Sequence, residues 1–326
     1  MGFAIVYLID PIYYPILAAV GVIVNVAAIV ILTRGKCGLT PVVTCYLVAM
    51  SSADLMVVVF EVILHRVYYT YTLNHFPFSF LWMTPACSLA AVLRYSATDS
   101  SVWLTVAFTG DRFVAICCPK LKARYSTRRS ALLIIVSVCF LSSSRNLPWY
   151  FIFEPVFVFN GIPWFCSIKL TDLFISSAWS AFYLFNYTMT PLLPFALIFL
   201  LNSLTVRHIL AASRVRKELR RGQRTAETER DSEMERRRRS IILLFSLSST
   251  FLILWMTHFV YSLLYRIRIM TRKEIESYNT NKIGDMLRFL SCCTNTCIYA
   301  ITQSRFREEL KHGFTYPCHL LAKVLK

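Results

Sequence analysis

Apolar residues gather into seven long runs along the 326-residue chain, at 12–33, 43–65, 85–117, 131–153, 176–206, 240–265 and 283–303. Crossing hydrocarbon takes about 20 mostly apolar residues at about 1.5 Å rise each, so every run is long enough. Backbone groups in lipid must find partners within their own segment, and the runs therefore predict helices. A membrane barrel would instead show weak alternation in strands of about 10 residues, a pattern this chain lacks. Pro41 suits the first turn of the second span. Pro119 closes the third and longest span, whose length predicts tilt. The fourth ends near Pro148. Pro191 and Pro194 predict a kink with freed carbonyls in the fifth.

Composition supports this pattern. Hydrophobic residues make up 56% of the chain and charged residues 16%, where an ordinary soluble domain carries about 25% charged residues. The expected fold is an all-α membrane protein, a single seven-helix bundle over 1–303. The net charge of +17 matters less than its placement. The segments 34–40, 118–130, 213–239 and 304–326 hold 23 of the 35 Lys and Arg residues. The positive-inside rule then places the N-terminus outside and the C-terminus in the cytoplasm. Because the basic residues sit beside spans, they point to anionic lipid rather than nucleic acid. Residues 1–6 lack a basic leader region, so the first span is expected to act as its own insertion signal.

The hydrophilic segment 213–239, with 11 basic and 6 acidic residues, is expected to extend spans five and six helically around a mobile middle near Gly222. It reads both as a solvated linker and as a docking surface for a cytoplasmic partner. After the seventh span, Phe306, Leu310 and Phe314 recur every four residues, which predicts a short amphipathic helix lying along the membrane within 304–326. Cys318 beyond it is a palmitoylation candidate.

Polar residues inside the runs carry the chemistry, because burying them in lipid is costly. Asp54, Ser101 and Asn295 fall near mid-depth of their spans. Their hard oxygen atoms suit either a sodium ion or a water cluster. Asp111-Arg112-Phe113 ends the third span, with Tyr299 at the same depth. Arg112 can pair with Asp111 in one state and with another partner in a second, which is the property of a switch. Trp255, near the outer mouth, reads as plain packing or as a sensor of a ligand. Glu61, Arg94, Asp285 and Arg288 are expected to face an outer cavity, with His258 one turn above Trp255. Arg94 suits a carboxylate and Asp285 or Glu61 an ammonium, while Tyr95 and Phe289 offer an aromatic wall. The alternative is that Arg94 and Glu61 simply neutralise each other.

Of the 11 cysteines, only Cys87 and Cys166 fall on the outer side, where they form a disulfide or remain two free thiols. Cys292, Cys293 and Cys297 lack a His or acidic partner nearby and read as small packing residues rather than metal ligands. No metal site is expected. No metalloprotease, nucleophile-elbow or phosphate-loop motif is present, so the chain does not read as an enzyme. A transporter is the weaker alternative, because no inverted repeat is evident and seven spans divide poorly into halves.

Taken together, Asn25, Asp54, Cys87, Arg112, Cys166, Pro194, Trp255, Asn295 and Tyr299 resemble, in order and spacing, the landmarks of rhodopsin-like (class A) G-protein-coupled receptors. The resemblance covers the whole chain. Asp111–Cys118, Arg237–Leu244 and Asn295–Tyr299 are more narrowly similar to the group named probable G-protein coupled receptor 139. The resemblance implies a plasma-membrane receptor with a Cys87–Cys166 disulfide. Its partners would be a small extracellular ligand, an amino acid or short peptide, and a heterotrimeric G protein of the Gq class. It further implies a G-protein switch at Asp111, Arg112, Phe113, Asn295 and Tyr299, and a sodium ion as modulator. A chemosensory receptor of the same fold is the alternative. Several positions depart from the pattern. Gly110 stands where an apolar side chain is usual, Thr257 and Thr296 replace prolines of spans six and seven, and Asn202 replaces a tyrosine of span five.

Overall fold

The computed structural model describes residues 2–68, 71, 79–168, 177–219, 228–270 and 278–312. The first span is helix α1 (Gly2–Thr33), which starts ten residues before the apolar run. That early turn is fastened to the seventh span, where Lys282 Nζ meets Asp10 at 2.5 Å and the Tyr13 hydroxyl donates to the Met286 carbonyl. The second span begins as α2 (Pro41–Val57), with Pro41 in the first turn and Thr40 capping the Val43 amide. It continues as a π-helical stretch, Val58–Val67.

The third span is α3 (Thr84–Cys117), followed by a short α4 (Pro119–Tyr125). The fourth is α5 (Arg128–Asn146), capped by Thr127 and prolonged by a tighter turn over Leu147–Ile152. The fifth is split into α6 (Ser177–Tyr187) and α7 (Leu193–Leu219) by a break at Thr188–Leu192. The sixth, α8 (Thr228–Met270), and the seventh, α9 (Tyr278–Thr302), run without interruption. Thr257 and Thr296 leave these helices unbroken. Residues 304–312 form α10. Between the fourth and fifth spans lie two small antiparallel pairs. Strand β1 (Phe153–Glu154) pairs with β4 (Ser167–Ile168), and β2 (Phe157–Phe159) pairs with β3 (Ile162–Trp164).

At the kink foreseen near Pro191, a carbonyl left out of the helical ladder is taken up by side chains. Thr190 leaves helical geometry, and the Met189 carbonyl accepts from the Trp103 indole at 3.2 Å and from the Thr190 hydroxyl at 2.8 Å.

Among the described residues, five helices are long and apolar enough to cross a membrane; the third and seventh fall short. The hydropathy of each helix taken alone therefore undercounts the spans. The reason is position. The third helix packs against the second, fourth and fifth spans, and the seventh against the sixth, first and second. Their neighbours shield them from lipid, so they tolerate polar residues that a lipid-facing helix does not. On the outer surface of α1, by contrast, Ile12, Ile16, Val20 and Ile23 form an exposed apolar stripe suited only to lipid.

Three buried clusters fill the bundle. Tyr46, Phe108, Leu243, Leu244, Leu247 and Tyr299 pack toward the Arg112 end. Tyr14, Val57, Val62 and Phe289 pack between spans one, two and seven. Val102, Phe195, Ile198, Phe251 and Trp255 pack between spans three, five and six. Phe306 of α10 is fully buried with its ring 5.9 Å from Tyr299, so the eighth helix docks onto the bundle. Cys292 and Cys293 are buried among apolar side chains, as packing residues would be.

Candidate functional site

Cys87 at the start of α3 is disulfide-bonded to Cys166, tying the strand-bearing loop to the third helix. The Thr84 hydroxyl donates to the Phe165 carbonyl at 2.7 Å and holds the same junction. Below this disulfide end, side chains from four spans form one charge cluster. Arg94 Nε lies 3.0 Å from Glu61, and the Arg94 guanidinium covers the Tyr95 ring at 4.8 Å. Glu61 also faces Arg66 at 3.7 Å and His65 at 3.6 Å. Asp285 is shared by Arg66 at 2.9 Å, Arg288 at 3.1 Å and His258 at 3.3 Å. Both carboxylates are buried, and each is held by guanidiniums. The pairing of Arg94 with Glu61 is the neutralising alternative weighed from sequence.

Gly284 eases the close approach of spans six and seven beside the cluster, because a β-carbon there would stand only 3.0 Å from the His258 backbone. Phe289 stacks under Arg288 at 4.4 Å, and the same guanidinium lies 5.6 Å above the Trp255 ring. The Trp255 indole donates to Ser291 at 3.0 Å. A cavity too narrow to hold a water molecule lies beneath, lined by Val57, Thr98, Ser101, Trp255, Arg288, Phe289 and Cys292. Tyr95 lies apart from it and stacks on Trp149 at 4.7 Å, in an aromatic box completed by Trp179, Phe182 and Tyr183.

Ser101 links that cavity to the middle of the bundle. Its hydroxyl donates to one oxygen of buried Asp54 at 2.5 Å, and the Asn295 amide donates to the other at 2.7 Å. The three mid-depth residues foreseen from sequence thus meet around one carboxylate. A carboxylate, a hydroxyl and an amide carbonyl are hard donors of the kind sodium takes, so the residues fit that ion. No cluster of three or more His, Cys, Asp or Glu side chains able to hold a metal occurs among the described residues. Asn25, one turn from Gly21, donates to the Cys292 carbonyl at 2.9 Å and fastens span one to span seven at this level.

At the other end, Arg112 is buried and its Nε donates to Asp111 at 3.1 Å, with Nη2 closing a second bond to the same oxygen. The remaining Asp111 oxygen accepts from Ser126 at 3.0 Å. Asp111 therefore holds both Arg112 and the segment that joins α4 to α5. Phe113 is half-buried. No hydrogen bond joins Tyr299 to Arg112 among the described residues; Tyr299 is fully buried in the apolar cluster with Tyr46, Phe108 and Leu243. Arg112 thus has Asp111 as its ionic partner in this conformation.

Two features were missed from sequence. Arg66 was placed beyond the end of span two, yet it bridges Glu61 and Asp285. In an α-helix, residues five apart are turned about 140° from each other, which sets Arg66 and Glu61 on different faces. The π-helical stretch instead aligns positions i and i+5. Nothing in local composition signals that change. The second feature is Asp99, ion-paired to Arg145 and hydrogen-bonded to Asn146, with Arg145 reaching Thr190 at 3.1 Å. A charged residue within each of two apolar runs was signal enough to look for the pair. Cys318 lies outside the described residues.

Residues 24–299 match the family described as 7 transmembrane receptor (rhodopsin family). The chain is 27% identical over 195 residues to the thyrotropin-releasing hormone receptor of Gallus gallus, covering 59% of this chain and 46% of the relative. It is 29% identical over 140 residues to the receptor of the same name from Homo sapiens, covering 43% of this chain and 33% of the relative. The matched region spans less than half the length of these curated relatives.

Proposed function

The chain belongs to the rhodopsin family of 7 transmembrane receptors, and on that premise we propose that it converts ligand binding at the disulfide end into activation of a heterotrimeric G protein at the Arg112 end. It is a receptor rather than an enzyme. The observation that carries the proposal is the buried Arg112–Asp111 pair, two formal charges held at the rim of an apolar layer with Tyr299 fully buried in it. Burying such a pair costs desolvation energy, and a device with two alternative partners for Arg112 gives that cost a use.

The disulfide end faces the outside of the cell, and the basic segments lie in the cytoplasm. A small ligand, an amino acid or short peptide, enters above Trp255. The relatives are named for a hormone, thyrotropin-releasing hormone, which agrees with a small extracellular messenger. The cluster of Glu61, Arg94, His258, Asp285 and Phe289 receives it. Displacement of Trp255 carries the signal along span six, opening a cavity around Arg112 for the G protein. Asp54, Ser101 and Asn295 would hold a sodium ion that favours the closed bundle. The resemblance to the narrower receptor group points to Gq.

Guanine-nucleotide exchange tests this directly. The chain, reconstituted in vesicles with purified Gq, Gi or Gs, is expected to accelerate exchange when a panel of amino acids and short peptides is applied, and Arg112→Ala is expected to abolish the acceleration. Ion flux without exchange would establish the transporter reading instead.

A further inference from the structure

The corner between the third and fourth spans gathers cations without counter-ions among the described residues. There α4 and α5 meet at Ser126 and Thr127, and Lys120, Lys122, Arg128 and Arg129 stand exposed around the junction. None of the four makes an ion pair among the described residues. The sequence has no acidic residue between Asp111 and Glu154, and both Asp111 oxygens are taken, by Arg112 and by Ser126. Arg128 and Arg129 also occupy the first turn of α5. That is the positive end of the helix dipole, where a cation has the wrong sign and an anion is favoured.

Both helices offer apolar surface beside these charges. On α4, Leu121 and Tyr125 are exposed one turn apart on the same side. At about 100° per residue, Lys120 and Lys122 flank them to either side. On α5, Leu132, Val136 and Phe140 are exposed at successive turns, and Arg129 heads the same face. Long basic side chains in such a setting lay their stems on apolar surface and keep their charge at the level of the lipid headgroups. A cluster of at least four, beside the cytoplasmic end of a span, fits an anionic lipid carrying several negative charges.

We propose that this corner binds a phosphoinositide of the inner leaflet, with its phosphates between the α4 lysines and the α5 arginines and an acyl chain along Leu132, Val136 and Phe140. Phosphatidylserine, with a single net charge, answers too few of the cations. The site goes beyond the receptor function and shares with it only the cytoplasmic placement of this corner. Ser126, whose hydroxyl donates to Asp111 at 3.0 Å, lies between the two cationic groups. A lipid that bridges α4 and α5 therefore steadies the segment that holds Asp111, and through Asp111 the Arg112 pair.

The test is binding of dioctanoyl phosphatidylinositol bisphosphate to the detergent-purified full-length chain, followed by calorimetry. Saturable binding is expected, with dioctanoyl phosphatidylserine weaker by about tenfold or more. Inositol trisphosphate, which has the phosphates without the chains, should also bind more weakly. Lys122→Gln combined with Arg128→Gln should weaken the bisphosphate lipid by about tenfold or more. Arg34→Gln combined with Lys36→Gln removes the same charge from the loop between spans one and two, and should leave the affinity within about twofold. All four positions are exposed, so the unfolding temperature of each variant serves as the control on folding. Bound lipid should also slow amide hydrogen exchange across 119–130. Equal weakening by the two double variants would reduce the effect to net charge and overturn the site. Phosphatidylserine of equal affinity would overturn the phosphoinositide, and inositol trisphosphate of equal affinity would overturn the lipid. Unchanged hydrogen exchange at 119–130 with lipid bound would place the lipid elsewhere. The measurement contains no G protein, so its failure leaves the receptor reading standing. A chain that binds the lipid and never drives nucleotide exchange sinks that reading alone.

Discussion

Arg66 of the second span and Asp285 of the seventh meet at 2.9 Å across the disulfide end of the bundle. Two helices distant in sequence are thus joined by one ion pair, with Arg66 about one-fifth exposed and Asp285 nearly buried. Removing one partner of a buried pair costs about 3–5 kcal/mol, because the other is left uncompensated. Solvent at Arg66 screens part of this, so Arg66→Met is expected at or below the lower end of that range. Asp285→Asn should be worse, since it takes a counter-ion from both Arg66 and Arg288. Thermal unfolding of the detergent-purified chain would rank the two. Equal, negligible losses would mean the pair holds nothing.

Asp111 restrains Arg112 and also accepts from Ser126. Asp111→Asn removes the charge that keeps Arg112 closed, so basal nucleotide exchange should rise several-fold with no ligand present. Ser126→Ala loosens only the adjoining segment and should raise it less. Ligand affinity should change little in Ser126→Ala. A silent Asp111→Asn, folded and at normal surface level, would show that this pair does not set the resting state.

The Asp54 carboxylate is met by Ser101 at 2.5 Å and by Asn295 at 2.7 Å. If sodium joins them, replacing a bulky organic cation by sodium chloride at constant ionic strength should raise the unfolding temperature of the purified chain. A ligand that binds only the folded state stabilises by about 2.7 kcal/mol at a hundred times its dissociation constant. Asp54→Asn should abolish the sodium response and Ser101→Ala should reduce it. A wild-type chain indifferent to sodium would leave the carboxylate as a hydrogen-bonded core residue.

Much of this architecture is legible in the sequence because lipid imposes simple rules. Span length, the proline break in the fifth helix and the burial of Asp54, Arg112 and Tyr299 follow from hydropathy and from the cost of polar groups in hydrocarbon. The helix ends follow less evenly: the extension of α8 ahead of its apolar stretch is legible in segment 213–239, but the start of α1 ten residues before its apolar stretch is not. Register is the harder matter. Val58–Val67 winds as a π-helix with no proline or glycine to announce it, and that winding carries Arg66 onto the face of Glu61. A periodicity of 3.6 residues, applied faithfully, places Arg66 elsewhere. Pairings across spans are equally hidden, because Asp99 and Arg145 are 46 positions apart and only packing joins them.

That last pair yields the sharpest stability prediction. Asp99 in the third span is buried, ion-paired to Arg145 and bonded to Asn146 in the fourth, while Arg145 reaches Thr190 at the break in the fifth. Arg145 therefore links three spans, beside the Met189 carbonyl that accepts from Trp103. Arg145→Leu leaves Asp99 charged and short of a counter-ion, which should cost about 3–5 kcal/mol. The double variant Asp99→Leu with Arg145→Leu removes both charges. Apolar replacement of a whole buried pair is often neutral or better, so the double variant should recover much of the stability lost by the single one. Its recovery should remain incomplete, because Asn146 and Thr190 each lose a partner, at about 1–3 kcal/mol per buried group left unsatisfied. A double-mutant cycle on the thermal unfolding of the purified chain measures this coupling. Strictly additive losses would show that Asp99 and Arg145 do not act as a pair and that the fifth span is held at its break by packing alone.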